Sequence, residues 1–411
     1  MSEHGRIRLL CIRNFRSIAK AQLSLGDLTI LVGPNGAGKS NVLDALRFVS
    51  DALNVTPAHA LQLRGGVGAV RRKALRGHPT HFTIRLEIEL PDKRMALYAF
   101  TVGAVPKSQG EFAINRETCI ILGPGALQRM EFEIEKGKFK VRPEGVEPRL
   151  TRDRLALTAV SAKEGFRTLF DFLAGMRFYN LVPELMRKPQ DPNPGLVLLR
   201  DGSNAGAVVR ELRNSNGAYK EVCEFLGRVV PGIMDVEHHA SGAQETLRFL
   251  QDVGDKKGQP LTFYPTGISD GTLRVLGVLL AIYQRSRASV LGIEEPESTV
   301  HPAAAEALFD AIRHGTRWSQ IIVTTHSPEL IDHKNVRIEE LRAVEMIRGE
   351  TVVTDLDEAS KQSIRERLCT PGDLLRNAGM EVAIEQYEQL PDEPNLFARD
   401  PICNAPNRAD R

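Results

Sequence analysis

The stretch Gly33-Pro34-Asn35-Gly36-Ala37-Gly38-Lys39-Ser40 carries the residue types that hold a polyphosphate. Gly36 and Gly38 can take positive φ and let backbone N–H groups approach phosphate oxygens, Lys39 offers a point charge to the β and γ oxygens, and Ser40 offers a hydroxyl to Mg2+. Asn41 follows directly and is grouped with the same nucleotide-binding set. Far along the chain, Gly267-Ile268-Ser269-Asp270-Gly271-Thr272-Leu273-Arg274 opens an apolar helix, so Ser269, Gly271 and the free N–H groups of that helix start form a second anion-binding end. One nucleotide needs only one such cradle, and a second makes sense if it serves the nucleotide of another subunit. Next, Val290-Leu291-Gly292-Ile293-Glu294-Glu295-Pro296-Glu297 is an apolar run that ends in carboxylates. Adjacent residues at a strand end point opposite ways, so Glu294 is expected to bind Mg2+ and Glu295 to polarise an attacking water, with Glu297 farther out. Finally, the run from Gln320 to Thr325 ends in His326-Ser327-Pro328, an imidazole placed where a γ-phosphate can be sensed.

These groups demand a strand, loop and helix frame. The apolar residues 28–32 before the loop and Val42, Leu43, Leu46, Phe48 and Val49 after it predict that order. Residues 6–12 and 21–25 predict an antiparallel pair leading in. From His81 to Val141 the apolar period becomes two, which predicts an antiparallel meander with a hairpin at Lys136-Gly137. Residues 155–173 read as helix, and Pro183, Pro189, Pro192 and Pro194 then mark a loop. Helices are expected at 207–212 and 219–230, and strands at 236–239 and 246–250. His238-His239 lack an acidic or Cys partner at ligand spacing and are read as part of a surface strand. The arginine-rich stretch 62–79, with Arg64, Arg71, Arg72, Lys73 and Arg76, is either a solvated loop or a basic surface near the nucleotide or another polyanion.

Composition excludes several classes. With 54 basic and 52 acidic residues, no global charge dictates a nucleic-acid or membrane partner, and any such surface is local. Of the 411 residues 42% are hydrophobic, enough to give two or three domains their own cores. Cys11, Cys119, Cys223, Cys369 and Cys403 are scattered, which argues against a disulfide framework and a zinc site and suits a reducing cytosol. No apolar run approaches the roughly 20 residues of a membrane span, and residues 1–6 do not resemble a signal peptide, so a soluble, cytoplasmic protein is expected.

In order along the chain, GPNGAGKS, ISDGTLR, LGIEEPE and TTHSPEL resemble the Walker A, signature, Walker B and switch-histidine motifs of ATP-binding-cassette ATPases. The similarity is to the soluble SMC/RecF/OLD-like branch of small AAA-type ATPases, and the opening Ile12-Arg13-Asn14-Phe15-Arg16-Ser17 is similar to that branch's start. It covers residues 6–50 and 262–335. The resemblance implies an α/β fold, a P-loop NTPase of ABC-ATPase head type with a mostly parallel core sheet, an antiparallel β lobe and an inserted helical lobe. The division expected is 1–80 for the first half of the core, 81–145 for the β lobe, 146–260 for a mainly helical lobe and 261–389 for the second half. The tail, 390–411, is expected to lack fixed structure. The resemblance also implies ATP and Mg2+ as cofactors and a homodimer formed head to head on ATP binding. Glu295, His326 and Lys39 would be catalytic, Ser269 and Gly271 would act in trans, and residues 298–301 would cross the dimer axis.

Some features depart from the resemblance. The family's water-positioning glutamine has three candidates, Gln62, Gln128 and Gln190. Asp270 and Thr272 stand where the transporter-type signature has Gly and Gln or Glu, which weighs against the alternative of a membrane-transporter ATPase. OLD-like members carry a Toprim nuclease, and Glu345 with Asp355-Leu356-Asp357 superficially offers its acids. About 85 residues follow His326, fewer than the ~100 of a common domain, so an in-chain nuclease is not expected. An ATP-driven switch in DNA repair or antiviral defence is expected instead, with a separately encoded effector, DNA as a possible partner and no membrane.

Overall fold

In the computed structural model, the described residues are 4–73, 79–108, 110–123, 129–145, 150–214, 216–254, 259–377, 379–390 and 396–398. They fall into two compact units, one of Met1–Met176, Glu339–Gln362 and Met380–Arg411, the other of Arg177–Ile338 and Ser363–Gly379.

In the first unit, alternating apolar residues build a wholly antiparallel sheet. Among the described residues its order is Ile18–Ser24, Arg6–Phe15, His81–Glu89, Met95–Ala104, Phe112–Leu122, Arg129–Glu135 and Lys138–Val141. The hairpin falls at Lys136-Gly137, whose φ values of 50° and 76° suit a tight turn between twisted strands. The leading pair is not a separate prelude to the core. Arg6–Phe15 pairs directly with His81–Glu89, Ile12 facing Ile84, so the boundary expected at residue 81 runs through one continuous sheet. The inner face explains this. Phe15, Phe82 and Phe48 meet edge to face at centroid distances of 5.4 and 5.2 Å, which seats the helix Lys39–Asn54 on both strands at once. A second, smaller set of strands holds the phosphate loop. Leu28–Val32, buried at every position, runs parallel to Leu341–Ile347, which pairs antiparallel with Glu350–Thr354. Continuous burial of this kind marks an interior strand of a parallel sheet.

The expected single helix over 155–173 is two, Ala156–Val160 and Glu164–Ala174, and both lie in the first unit. In the second unit, Val290–Glu294 runs parallel to Gln320–Thr325 on one side and to Arg177–Tyr179 on the other. The buried helix Asp270–Tyr283 accompanies them, with Ala205–Arg213, Asn216–Val229 and Pro302–Gly315. The region expected to be mainly helical also contributes an antiparallel sheet of Ile233–Ser241, Gln244–Gln251 and Leu261–Phe263. No helix among the described residues is long and apolar enough to cross a membrane.

One expectation is corrected at the C-terminal end. Leu396 is buried against Leu9 and Cys11, and Phe397 packs beside them, so part of the stretch read as unstructured is docked on the antiparallel sheet. Apolar anchors two residues long carry no periodicity by which a sequence could announce them. Residues 391–395 and 399–411 lie outside the described residues.

Candidate nucleotide site

The phosphate loop starts where a buried strand can go no farther. A Cβ at Gly33 would collide with the backbone carbonyl of Val344, so only glycine lets the chain turn there. Gly36 has φ 80° and open space around it, so its requirement is conformational. Gly38, φ 99°, is constrained twice, because a side chain there would also strike the Thr351 side chain. Thr351 braces the loop by donating to the Ala37 carbonyl at 2.9 Å and sharing a hydrogen bond with Ser17 Oγ at 2.6 Å. Ser17 also takes the Asn41 amide at 2.6 Å, so Asn41, expected among the nucleotide contacts, is placed as part of this brace. Lys39 is buried with its Nζ donating to the carbonyls of Gly33 and Pro34 at 2.7 and 3.0 Å, so the loop itself holds the ammonium in place. Pro34, Asn35 and Ser40 are exposed, while Ala37 is buried.

Arginines that could have faced solvent are held in ion pairs, two of them to the loop's helix. Arg64 is buried, ion-paired with Asp44 at 2.9 Å and Asp51 at 2.9 Å, and lies over the Phe48 ring. Arg16 holds the other Asp44 oxygen at 2.6 Å, and Arg72 pairs with Glu350. Both readings of the 62–79 stretch therefore need adjusting for Arg64 and Arg72, which act as structural ties, while residues 74–78 lie outside the described residues.

In the second unit the carboxylates follow the strand end as expected. Glu294 closes its strand and binds Arg200 at 2.9 Å. Glu295 adopts φ 43°, a conformation rare outside glycine, with its N–H donating to the Thr324 carbonyl at 3.0 Å. This bend separates the two acids and sets Glu295 Oε1 3.5 Å from His326 Nδ1, both side chains being partly exposed. Glu297 is buried, accepts from Thr325 Oγ1 at 2.5 Å, and burial pushes its carboxyl above the usual range. Arg274 donates to the Glu295 carbonyl at 3.5 Å, and its desolvation is opposed by the charges of Glu295, Glu297 and Asp270. Ser269 caps the helix Asp270–Tyr283, accepting from Thr272 N at 3.2 Å, and it is exposed. A side chain at Gly271 would meet the Thr299 carbonyl, so the start of this helix sits against the turn that follows the carboxylates. Sequence reasoning singled out neither Ser17, Thr351, Arg200, Thr325 nor Arg274's contact. Thr324-Thr325 before His326 was the one available signal.

Comparison with known proteins agrees with the geometry. Residues 6–97 match the family model described as "AAA ATPase domain", and residues 128–332 match that described as "AAA domain, putative AbiEii toxin, Type IV TA system". The OLD nuclease of Thermus scotoductus is 25% identical over 393 residues, spanning 90% of this chain and 69% of that protein. The Old nuclease of Escherichia phage P2 is 20% identical, spanning 80% of this chain and 58% of that protein. The Smc head domain of Pyrococcus furiosus, solved with an extended coiled coil and bound to the C-terminal domain of ScpA, superposes with a TM-score of 0.52 at 14% identity, covering 89% of this chain and 99% of that one. The chain is an ATPase similar to the SMC/RecF/OLD-like branch. It is an ATP-hydrolysing enzyme with the ABC-ATPase head fold.

The acids that superficially suggested a nuclease in this ATPase have structural partners. Glu345 accepts from Val382 N at 3.0 Å, Asp355 pairs with Arg342 at 3.2 Å, and Asp357 accepts from the N–H groups of Ala359 and Ser360 at the start of Glu358–Arg365. Of the glutamines, Gln62 is exposed at a helix end, Gln190 bridges Glu245 through its backbone, and Gln128 lies outside the described residues. Among the described residues no group of three His, Cys, Asp or Glu could hold a metal ion.

Proposed function

We propose that this ATPase is a molecular switch that dimerises head to head around ATP and Mg2+, and acts in DNA maintenance or antiviral defence through a separately encoded effector. The observation that carries this reading is the exposed, Ser269-capped start of Asp270–Tyr283. It is an anion cradle in a chain that already owns a phosphate loop. In this reading each nucleotide is held by residues 33–41 of one subunit and by Ser269 and Gly271 of the other, so neither subunit is complete alone. The names of the two relatives given above, both nucleases, support a setting in which nucleic acid is handled.

The chain's own groups divide the chemistry. Lys39 leaves its loop carbonyls for the β and γ oxygens, and the N–H groups of residues 36–40 receive the same charge. Ser40 and Glu294 would hold Mg2+, which supplies neutralising charge to the phosphates when bound. Glu295 takes a proton from the attacking water, and His326, in contact with Glu295, hydrogen-bonds the γ-phosphate and reports its presence. Glu295→Gln should therefore bind ATP, stall before hydrolysis and accumulate as a dimer, because a ligand held across an interface stabilises that interface by mass action. Native mass measured with and without ATP tests this. A monomeric Glu295→Gln chain saturated with ATP would reject the dimer.

A further inference from the structure

The base and the sensing imidazole proposed above meet at a partly exposed contact of 3.5 Å, from Glu295 Oε1 to His326 Nδ1. A contact between two solvated side chains does little to hold either in place. Firmer ties lie beneath it, in the backbone that carries them. Glu295 follows Val290–Glu294 and His326 follows Gln320–Thr325, neighbouring parallel strands in which Glu294 faces Thr324. The Glu295 N–H crosses to Thr324, donating to its carbonyl at 3.0 Å and to its Oγ1 at 3.2 Å. The return tie runs through side chains. Thr325 Oγ1 donates to Glu297 Oε1 at 2.5 Å and accepts from Ser327 N at 2.9 Å, so one hydroxyl closes the backbone around His326 and fastens it to the turn that carries Glu295. Thr325 is 0% exposed and Glu297 7%, while Glu297 Oε2 is buried with no hydrogen-bond partner among the described residues. A buried carboxyl with one oxygen left unpaired is a poor source of stability, so its presence calls for another reason.

We propose that Glu297 and Thr325 are positioning residues for hydrolysis, whose buried bond sets His326 against Glu295 so that water activation and γ-phosphate sensing occur at one point. The proposal rests on the roles given to Glu295 and His326 above. Its test is ATP turnover and ATP binding by variants of the full chain. Thr325→Val keeps the side chain's shape and removes the donor, and Glu297→Leu removes the acceptor. Each should lower kcat about tenfold to a hundredfold, the cost of a small misplacement of reacting groups, and leave ATP affinity unchanged. The double variant should be no slower than the slower single one, because both changes break the same bond. It should also melt no lower than Thr325→Val, which strands the carboxyl, so that slow turnover is not a sign of poor folding. Thr325→Ser restores the hydroxyl and Glu297→Gln restores an acceptor, and each should recover most of the lost turnover. Parental kcat in Thr325→Val or Glu297→Leu overturns the proposal, as do losses that multiply in the double variant. Glu297→Gln as slow as Glu297→Leu overturns it too, since Glu297 would then carry a proton instead of a tie. Glu295→Gln, measured alongside, separates the two levels of the account. Parental turnover there removes the assigned base and the proposal with it, whereas a stalled Glu295→Gln beside a fast Thr325→Val rejects the proposal alone.

Discussion

At the scale of the residue, the bend at Glu295 is the feature on which the proposed chemistry turns. Its positive φ aims one carboxylate at His326 while Glu294 stays with Arg200, so two neighbouring acids take different surroundings. Replacing Glu295 by Gln removes the proposed proton acceptor and leaves Glu294 untouched, and turnover should fall ~10²–10⁴-fold with ATP affinity kept. Phosphate release and nucleotide binding, measured side by side, check this, and parental turnover would reassign the base. Gly38→Ala should weaken ATP binding more than it unfolds the chain. The left-handed conformation alone costs a residue with Cβ about 1–2 kcal/mol, and the collision with Thr351 moves the loop as well. Equal ATP affinity in the variant and its parent would show that Thr351 does not set the loop's shape.

At the scale of the element, Glu117 ties the helix Ala156–Val160 to the sheet. Its buried carboxylate accepts from the N–H groups of Ala156 and Leu157 at 2.6 and 2.9 Å and from the Tyr98 hydroxyl at 3.0 Å. Burial outweighs these bonds and pushes its carboxyl up from 4.5 to about 7. The folded chain thus keeps a proton that the unfolded chain releases between those values. Its contribution to stability is full below the unfolded value and is lost as pH rises through the folded one. The thermal midpoint should drop between about pH 5 and about pH 8, and Glu117→Gln should flatten that part of the profile. A slope identical in both chains would place the titration elsewhere. Elements such as these were legible to different degrees. The strands from His81 onward, the hairpin at Lys136-Gly137 and the buried strand before the phosphate loop announce themselves by period two or by continuous apolarity. Arg85 and Glu87 look like an ordinary solvated face until residues from the far end of the chain cover them, and no local pattern encodes that meeting. The partners Ser17 and Thr351 were hidden for the same reason. The loop's glycines are recognisable by spacing, but the groups that require Gly38 to be glycine come from the other end of the sequence.

At the scale of the whole molecule, the central claim is that two subunits complete each other's site. Among the described residues there are one phosphate loop and one exposed, serine-capped helix start, at Ser269, and the proposed dimer joins them across a two-fold axis. The direct measurement is ATP turnover by Lys39→Ala, by Ser269→Arg and by their mixture. Losing a serine cap costs about 1 kcal/mol, well short of unfolding a chain of this size, so Ser269→Arg reports on function. Each variant alone should be inactive. Mixed dimers, demonstrated by native mass, keep one composite site with an intact phosphate loop from the Ser269→Arg subunit and an intact signature from the Lys39→Ala subunit, so hydrolysis should return on mixing. Full activity of Ser269→Arg alone, or mixed dimers that form without hydrolysing ATP, would contradict the shared site.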